Sequence, residues 1–325
     1  MSHPVLLCTN SFRDIPLSDL APSSADWGYD GFEAVVGPGH WDLVTHAKGD
    51  GFLESTRELL GRHRLDIPIL SAHGLTTVLC DPIGPHSRKI LPAHVYGDGE
   101  SIGVRERAMV EFQALLRSAE SFGIGLVSGF TGSPIWSRFW TYPTPGADEV
   151  EEAFGLLSTR FQPVLDACLD CGIRFALEIH PGQMAFDIPS TERLLETLSG
   201  HQALGFTLDP AHLVWQGVDP VQFVQTFADR IWHVHLKDVT TRLDGGSSLI
   251  NPIGSGRGLA PVEYRAPGRG SVDWESLGRA LARGGYGGAL SVEVKDPDLD
   301  RTVVAAEAVP WARRLARLLS GTHGV

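Results

Sequence analysis

Cysteine is scarce in this 325-residue chain, which has only Cys8, Cys80, Cys168 and Cys171. Four thiols argue against a disulfide-stapled scaffold, and a single CxxC with no second pair cannot complete a four-thiolate zinc site. Cys168 and Cys171 fall late in a strongly helical stretch, where i and i+3 are simply neighbours on one face. Basic residues are also few: 27 Lys and Arg against 39 Asp and Glu leave a net charge of −12, which argues against a nucleic-acid partner. No run approaches the roughly 20 apolar residues of a membrane span. Met1-Ser-His-Pro-Val-Leu-Leu-Cys-Thr-Asn10 lacks a charged leader and a long apolar core, so no signal peptide is expected. No GxGxxG links an early strand to a helix, so the dinucleotide-binding fingerprint is missing. These absences lead us to expect a cytoplasmic protein with reduced thiols and no membrane partner, in a form that allows a homo-oligomer.

Hydrophobic residues make up 42% of the chain, enough for a sizeable core. Strand-like and helix-like runs alternate along it. Val5–Cys8, Gly31–Val36, Ile67–Ser71 and Ile124–Phe130 read as the first four strands. Helical spacing covers Phe52–Leu60, Ser101–Phe122, the stretch from Ala147 to about Cys171, and Arg301–Leu319. In Ser101–Phe122 the apolar side is expected to hold Val110, Phe112, Leu115 and Leu116. Eight strands alternating with about eight helices predict an α/β fold, a (β/α)8 TIM barrel spanning 1–325 as one domain, with an open doubly wound sheet as the runner-up. Two connections, 73–100 after strand three and 239–271 after strand seven, exceed ordinary loop lengths and read as lids or as loose surface loops.

Four later strands carry the chemistry. In Phe175-Ala-Leu-Glu-Ile-His-Pro181, period-2 alternation puts Glu178 and His180 on the face opposite Phe175, Leu177 and Ile179. Gly205–Asp209, Ile231–Asp238 and Leu290–Asp296 repeat the design with Asp209, His235 and Glu293 near the strand ends. Three carboxylates and an imidazole suit a divalent Mn, Mg, Co or Zn ion with positions open for substrate oxygens. Such an ion acidifies the C–H beside a carbonyl, and Glu178 and Glu293 are the candidates to move that proton. Each residue also has a plainer reading: Asp209 before Pro210 starts turns, and a lone His235 is commonly a core histidine.

Around this set, His180, His212 and Lys237 are candidate substrate contacts, with Lys237 suited to an oxyanion. Lys295 stands in the same relation to Glu293. His73 and Glu33 reach either the cavity or the core. Trp41, Trp215 and Phe12 are candidate apolar walls, and Arg257 and Arg269 candidate phosphate contacts.

The motifs Leu177-Glu-Ile-His-Pro181, Leu208-Asp-Pro-Ala-His212, His233-Val-His-Leu-Lys-Asp238 and Ser291-Val-Glu-Val-Lys295 resemble the sugar phosphate isomerase/epimerase family of xylose isomerase-like TIM barrels. The resemblance implies that Glu178, Asp209, His235 and Glu293 bind the metal, that Glu178 and Glu293 transfer protons, and that His212 touches substrate. Two positions depart from the ketose 3-epimerases within this family. Met184 replaces a Glu, and Thr241 replaces an Arg, with Arg242 adjacent as a substrate-binding candidate. The implied activity is a sugar isomerase or epimerase working through an enediolate. The alternatives are a keto-sugar or keto-inositol dehydratase on the same site, and a non-catalytic sugar-binding barrel.

Overall fold

Short buried runs, apolar on both faces, build the sheet, as expected where helices cover the outside and side chains fill the inside. The strands are β1 (Val5–Cys8), β2 (Gly31–Val35), β3 (Asp66–Ser71), β4 (Leu126–Gly129), β5 (Arg174–Glu178), β6 (Leu204–Leu208), β7 (Ile231–Leu236), β8 (Asp238–Thr241), β9 (Val262–Arg265) and β10 (Leu290–Val292). Eight of them close into a barrel in the order β1-β10-β7-β6-β5-β4-β3-β2, while β8 and β9 form a separate antiparallel pair. The fold is a (β/α)8 TIM barrel of the α/β class. This computed structural model describes residues 3–49, 51–251 and 260–321, so Arg257 lies outside the described residues. No described helix is long and apolar enough to cross a membrane.

The chain divides into two compact units. The first comprises Met1–Ala34, Arg57–Ile67 and Thr207–Val325. Within it β10 pairs in parallel with β1 and with β7, setting His235 opposite Ser291. Helix Arg301–Leu319 is fastened by Tyr29, whose hydroxyl donates to the Ala305 carbonyl at 2.7 Å, and by Arg313, which holds Asp30. Trp274 and Trp311 meet edge to face at 4.9 Å.

The second unit comprises Val35–Thr56 and Pro68–Phe206. β4 pairs with β5 in register, Val127 opposite Phe175. Phe175 packs edge-on against Phe112 and Phe161 from helices Ser101–Phe122 and Ala147–Asp170. Gly132, at φ +71°, lies where a Cβ would sit 1.9 Å from the Thr77 carbonyl. Gly132→Ala is therefore expected to cost about 2–4 kcal/mol from strain and overpacking, read as a lower urea midpoint with an unchanged slope.

Three expectations are corrected. Val110 is 63% exposed, because it stands two residues from both Ala108 and Phe112, about 200° around the helix from each. The connection after β3 is not structureless: helices His73–Thr77 and Ala93–Tyr96 bury Leu75, Val78, Leu91 and Val95 against Val104 and Ala108. The connection after β7 contains the β8–β9 pair, bringing the described strands to ten. Cys168 lies in helix Ala147–Asp170 and Cys171 caps it, both as free thiols. Burial pushes the thiols of Cys8, Cys80 and Cys168 up, Cys80 to about 12, so they are protonated at neutral pH.

Candidate metal centre

Period-2 alternation along short parallel strands delivers one polar side chain from each strand end into the barrel. Glu178 is the last residue of β5, Asp209 follows β6, His235 is the fifth residue of β7, and Glu293 follows β10. Each is 6% exposed or less. Among the described residues of the first unit, His235 Nδ1 lies 3.7 Å from Asp209 Oδ2 and 3.9 Å from Glu293 Oε2. Asp209 also caps helix Pro210–Val214 by accepting from the Ala211 N–H, so its turn-forming and ligating readings coexist on its two oxygens.

Lys237 is buried between acids. Its Nζ lies 2.7 Å from Asp209 Oδ2 and 2.5 Å from Glu293 Oε2, and 2.9 Å from His212 Nε2. His212 Nδ1 in turn meets the Tyr264 hydroxyl at 3.0 Å, and Lys237 lies over the Tyr264 ring at 4.8 Å. Desolvation pushes the Tyr264 hydroxyl up to about 12, so it is a neutral phenol at physiological pH.

Deeper in the barrel, Glu33 Oε2 lies 2.9 Å from His233 Nε2 and 3.0 Å from His235 Nε2. Burial alone would raise this carboxyl, but the imidazoles of His235 and His233 outweigh it and hold the carboxyl well below its usual range. In the other unit, His73 Nε2 meets Glu178 Oε2 at 2.7 Å while its Nδ1 meets the Ser71 hydroxyl at 2.7 Å. The Phe130 ring lies 4.4 Å from that of His73 and 4.9 Å from that of His180.

Arg242 Nε pairs with Asp244 at 2.9 Å, Arg269 with Glu307 at 2.8 Å, and Lys295 stands 3.6 Å from Glu293 Oε1. Trp41 is core: its indole donates to Ser118 and its ring packs edge-on against Phe52 and Phe122. Phe12 is fully buried with the Arg301 guanidinium 5.2 Å from its ring centre. A cavity of about 260 Å³ between the loops after β4 and β5 is walled by Phe139, Phe154, Met184 and Phe186, and Glu178 is not among its lining residues.

Sequence reasoning left three contributors unassigned. Glu33 was undecided between core and cavity, His233 shares the parity of His235 one layer deeper, and Tyr264 arrives from β9. The His-x-His spacing at 233–235 is the one available signal for His233. For Tyr264 the only local signal is the four-residue alternation Val262-Glu-Tyr-Arg265.

The donor set fits a divalent cation. Two buried carboxylates, Asp209 and Glu293, face the one amine of Lys237, and the remaining negative charge is costly to hold away from water unless a cation neutralises it. Neutral imidazole and carboxylate oxygens are borderline-to-hard donors, right for Mn, Mg, Co or Zn.

The sequence model of a family described as xylose isomerase-like TIM barrel matches residues 23–315. Inosose dehydratase from Clostridium botulinum is 28% identical over 153 residues, 46% of this chain and 50% of that protein. The chain thus spans about half the length of the inosose dehydratases it matches. Among solved structures, 3-keto-D-glucoside 4-epimerase from E. coli superposes with a TM-score of 0.66 at 13% identity, covering 96% of this chain and 99% of that one. The IOLI protein with a binding zinc atom gives 0.64 at 17% identity, covering 99% and 100%. At such identities these structures show a shared fold.

Proposed function

The chain belongs to the xylose isomerase-like TIM barrel family, and from that premise we propose that it is a divalent-metal-dependent enzyme that isomerises or epimerises a sugar or polyol ketone through an enediolate. The observation that carries this reading is two buried glutamates at strand ends, each with its own partner: His73 on Glu178 and Lys237 on Glu293. A site built only to hold a sugar has no need of two such proton carriers. We read the whole chain, 1–325, as one catalytic domain working in the cytoplasm. Relatives that are a dehydratase and an epimerase support enzyme status.

In the proposed reaction one glutamate takes the proton from the carbon beside the carbonyl, and a proton returned to that carbon or its neighbour completes the change. His73 orients the Glu178 carboxylate, and Lys237 donates to the oxygen on which charge develops. His180 and His212 contact substrate hydroxyls. A bound Mn, Mg, Co or Zn ion would supply carbonyl polarisation and electrostatic stabilisation of the enediolate.

A second reading, elimination of water from a keto-inositol or keto-sugar, is favoured by the Lys237–His212–Tyr264 hydrogen-bonded chain. There the base takes the carbon-bound proton, the C–O bond beyond breaks, and a proton passed through His212 leaves with the hydroxyl as water. One experiment separates the readings: incubation of metal-loaded protein in D₂O with a panel of ketoses and keto-inositols. Carbon-bound deuterium in a product of unchanged composition, abolished by chelator, is expected. A product lacking one water selects the lyase. No exchange on any substrate would remove both and leave a sugar-binding barrel.

A further inference from the structure

We propose that Glu33 is a positioning residue for the metal centre: it fixes the tautomer of His235 that turns a bare Nδ1 toward the ion, and His233 holds Glu33 in place. This rests on the metal-centre reading above.

The argument begins with acceptor and donor inventories. An ionised carboxylate only accepts, so the ring nitrogens facing Glu33 Oε2 at 2.9 and 3.0 Å both carry hydrogen. A neutral imidazole has one N–H, so a proton on Nε2 of His235 leaves the lone pair on Nδ1. That atom lies 3.7 Å from Asp209 Oδ2 and 3.9 Å from Glu293 Oε2, facing the carboxylates of the donor set. The backbone explains how both rings reach one oxygen. His233 and His235 share a face of β7, their rings stand at 90° with centres 5.2 Å apart, and Glu33 enters from the middle of β2. All three side chains are 2% exposed or less, so water cannot substitute as the acceptor. A carboxylate behind a ligating imidazole also raises its basicity, which strengthens the metal bond.

Glu33, His233 and His235 are themselves close enough to hold an ion of their own. Two hydrogen-bonding distances converging on one oxygen favour the positioning role, and the test includes the other outcome.

The test needs no variant at first. In metal-free, ¹⁵N-histidine-labelled protein, long-range ¹H–¹⁵N spectra are expected to show His235 as the Nε2–H tautomer. The Nδ1–H tautomer would overturn the proposal. Glu33→Met should then weaken metal affinity about ten- to a hundredfold, measured by chelator competition, while Glu33→Gln, which keeps an acceptor oxygen, should lose less. Unchanged affinity in a folded Glu33→Met protein would overturn the proposal. So would two ions per wild-type chain with one lost in this variant, since the trio would then be a second metal site. These readouts do not depend on turnover, so absence of catalysis would sink the isomerase reading and leave this one standing.

Discussion

Replacing Glu178 or Glu293 by Gln is expected to lower turnover by about a hundredfold to ten-thousandfold, and the double variant should come through purification with little bound metal. Each substitution keeps shape and removes one negative charge, so both ligation and proton abstraction are weakened together. Stability should separate the two. Lys237 bridges Glu293 and Asp209, so Glu293→Gln leaves a buried ammonium with one carboxylate in place of two. That is expected to cost about 1–3 kcal/mol. Glu178 faces His73, whose ring can hydrogen-bond an amide oxygen as well as a carboxylate, so Glu178→Gln should be nearly neutral in stability. Deuterium exchange, elemental analysis and urea midpoints read the three effects. Wild-type exchange and full metal content in the double variant would refute the assignment.

The second large effect is structural. Asp238 opens β8 fully buried and accepts four hydrogen bonds: from Val239 N–H at 2.9 Å, Val272 N–H at 3.0 Å, Gly268 N–H at 3.1 Å and the Trp274 indole at 2.9 Å. One carboxylate thus ties the β8–β9 pair to the start of helix Trp274–Arg283. Gly270 follows the same contour, since a Cβ there would lie 2.2 Å from Asp238 Oδ1. Asp238→Ala strands several buried donors at about 1–3 kcal/mol each, for a total of about 4 kcal/mol or more. Because Tyr264 sits on β9, the variant should also lose the Tyr264–His212 contact. Denaturant midpoints and amide exchange across 262–272 check this, and a midpoint close to wild type would contradict it.

How far the sequence reaches follows from period and distance. Glu178, Asp209, His235 and Glu293 stand out in the sequence because each lies at or just past the end of a short apolar strand with opposite parity. Glu33 and His233 have the right parity too, but they sit mid-strand, where parity alone does not distinguish a polar network from a misplaced core residue. Tyr264 was out of reach. Its strand, Val262-Glu-Tyr-Arg265, alternates apolar and charged residues over only four half-buried positions after a glycine-bearing stretch, too short a run to stand out, and its pairing with β8 is a tertiary fact. Arg242, chosen for its proximity to Thr241, pairs with Asp244, a near neighbour in the same connection.

The three contacts of Lys237 also bear on how the substrate can be activated. A lysine beside a ketone in a barrel invites condensation to an imine, which needs an unshared electron pair on the nitrogen. Here the Lys237 nitrogen hydrogen-bonds His212 and Glu293 and lies 2.7 Å from Asp209 Oδ2, surroundings that favour its ammonium form and leave a hydrogen for a substrate oxygen. An ammonium has no electron pair with which to attack a carbonyl, so this arrangement disfavours the carbinolamine route. Under the proposed function the ketone would keep its oxygen throughout, and the neighbouring C–H would be made acidic by charge placed near that oxygen.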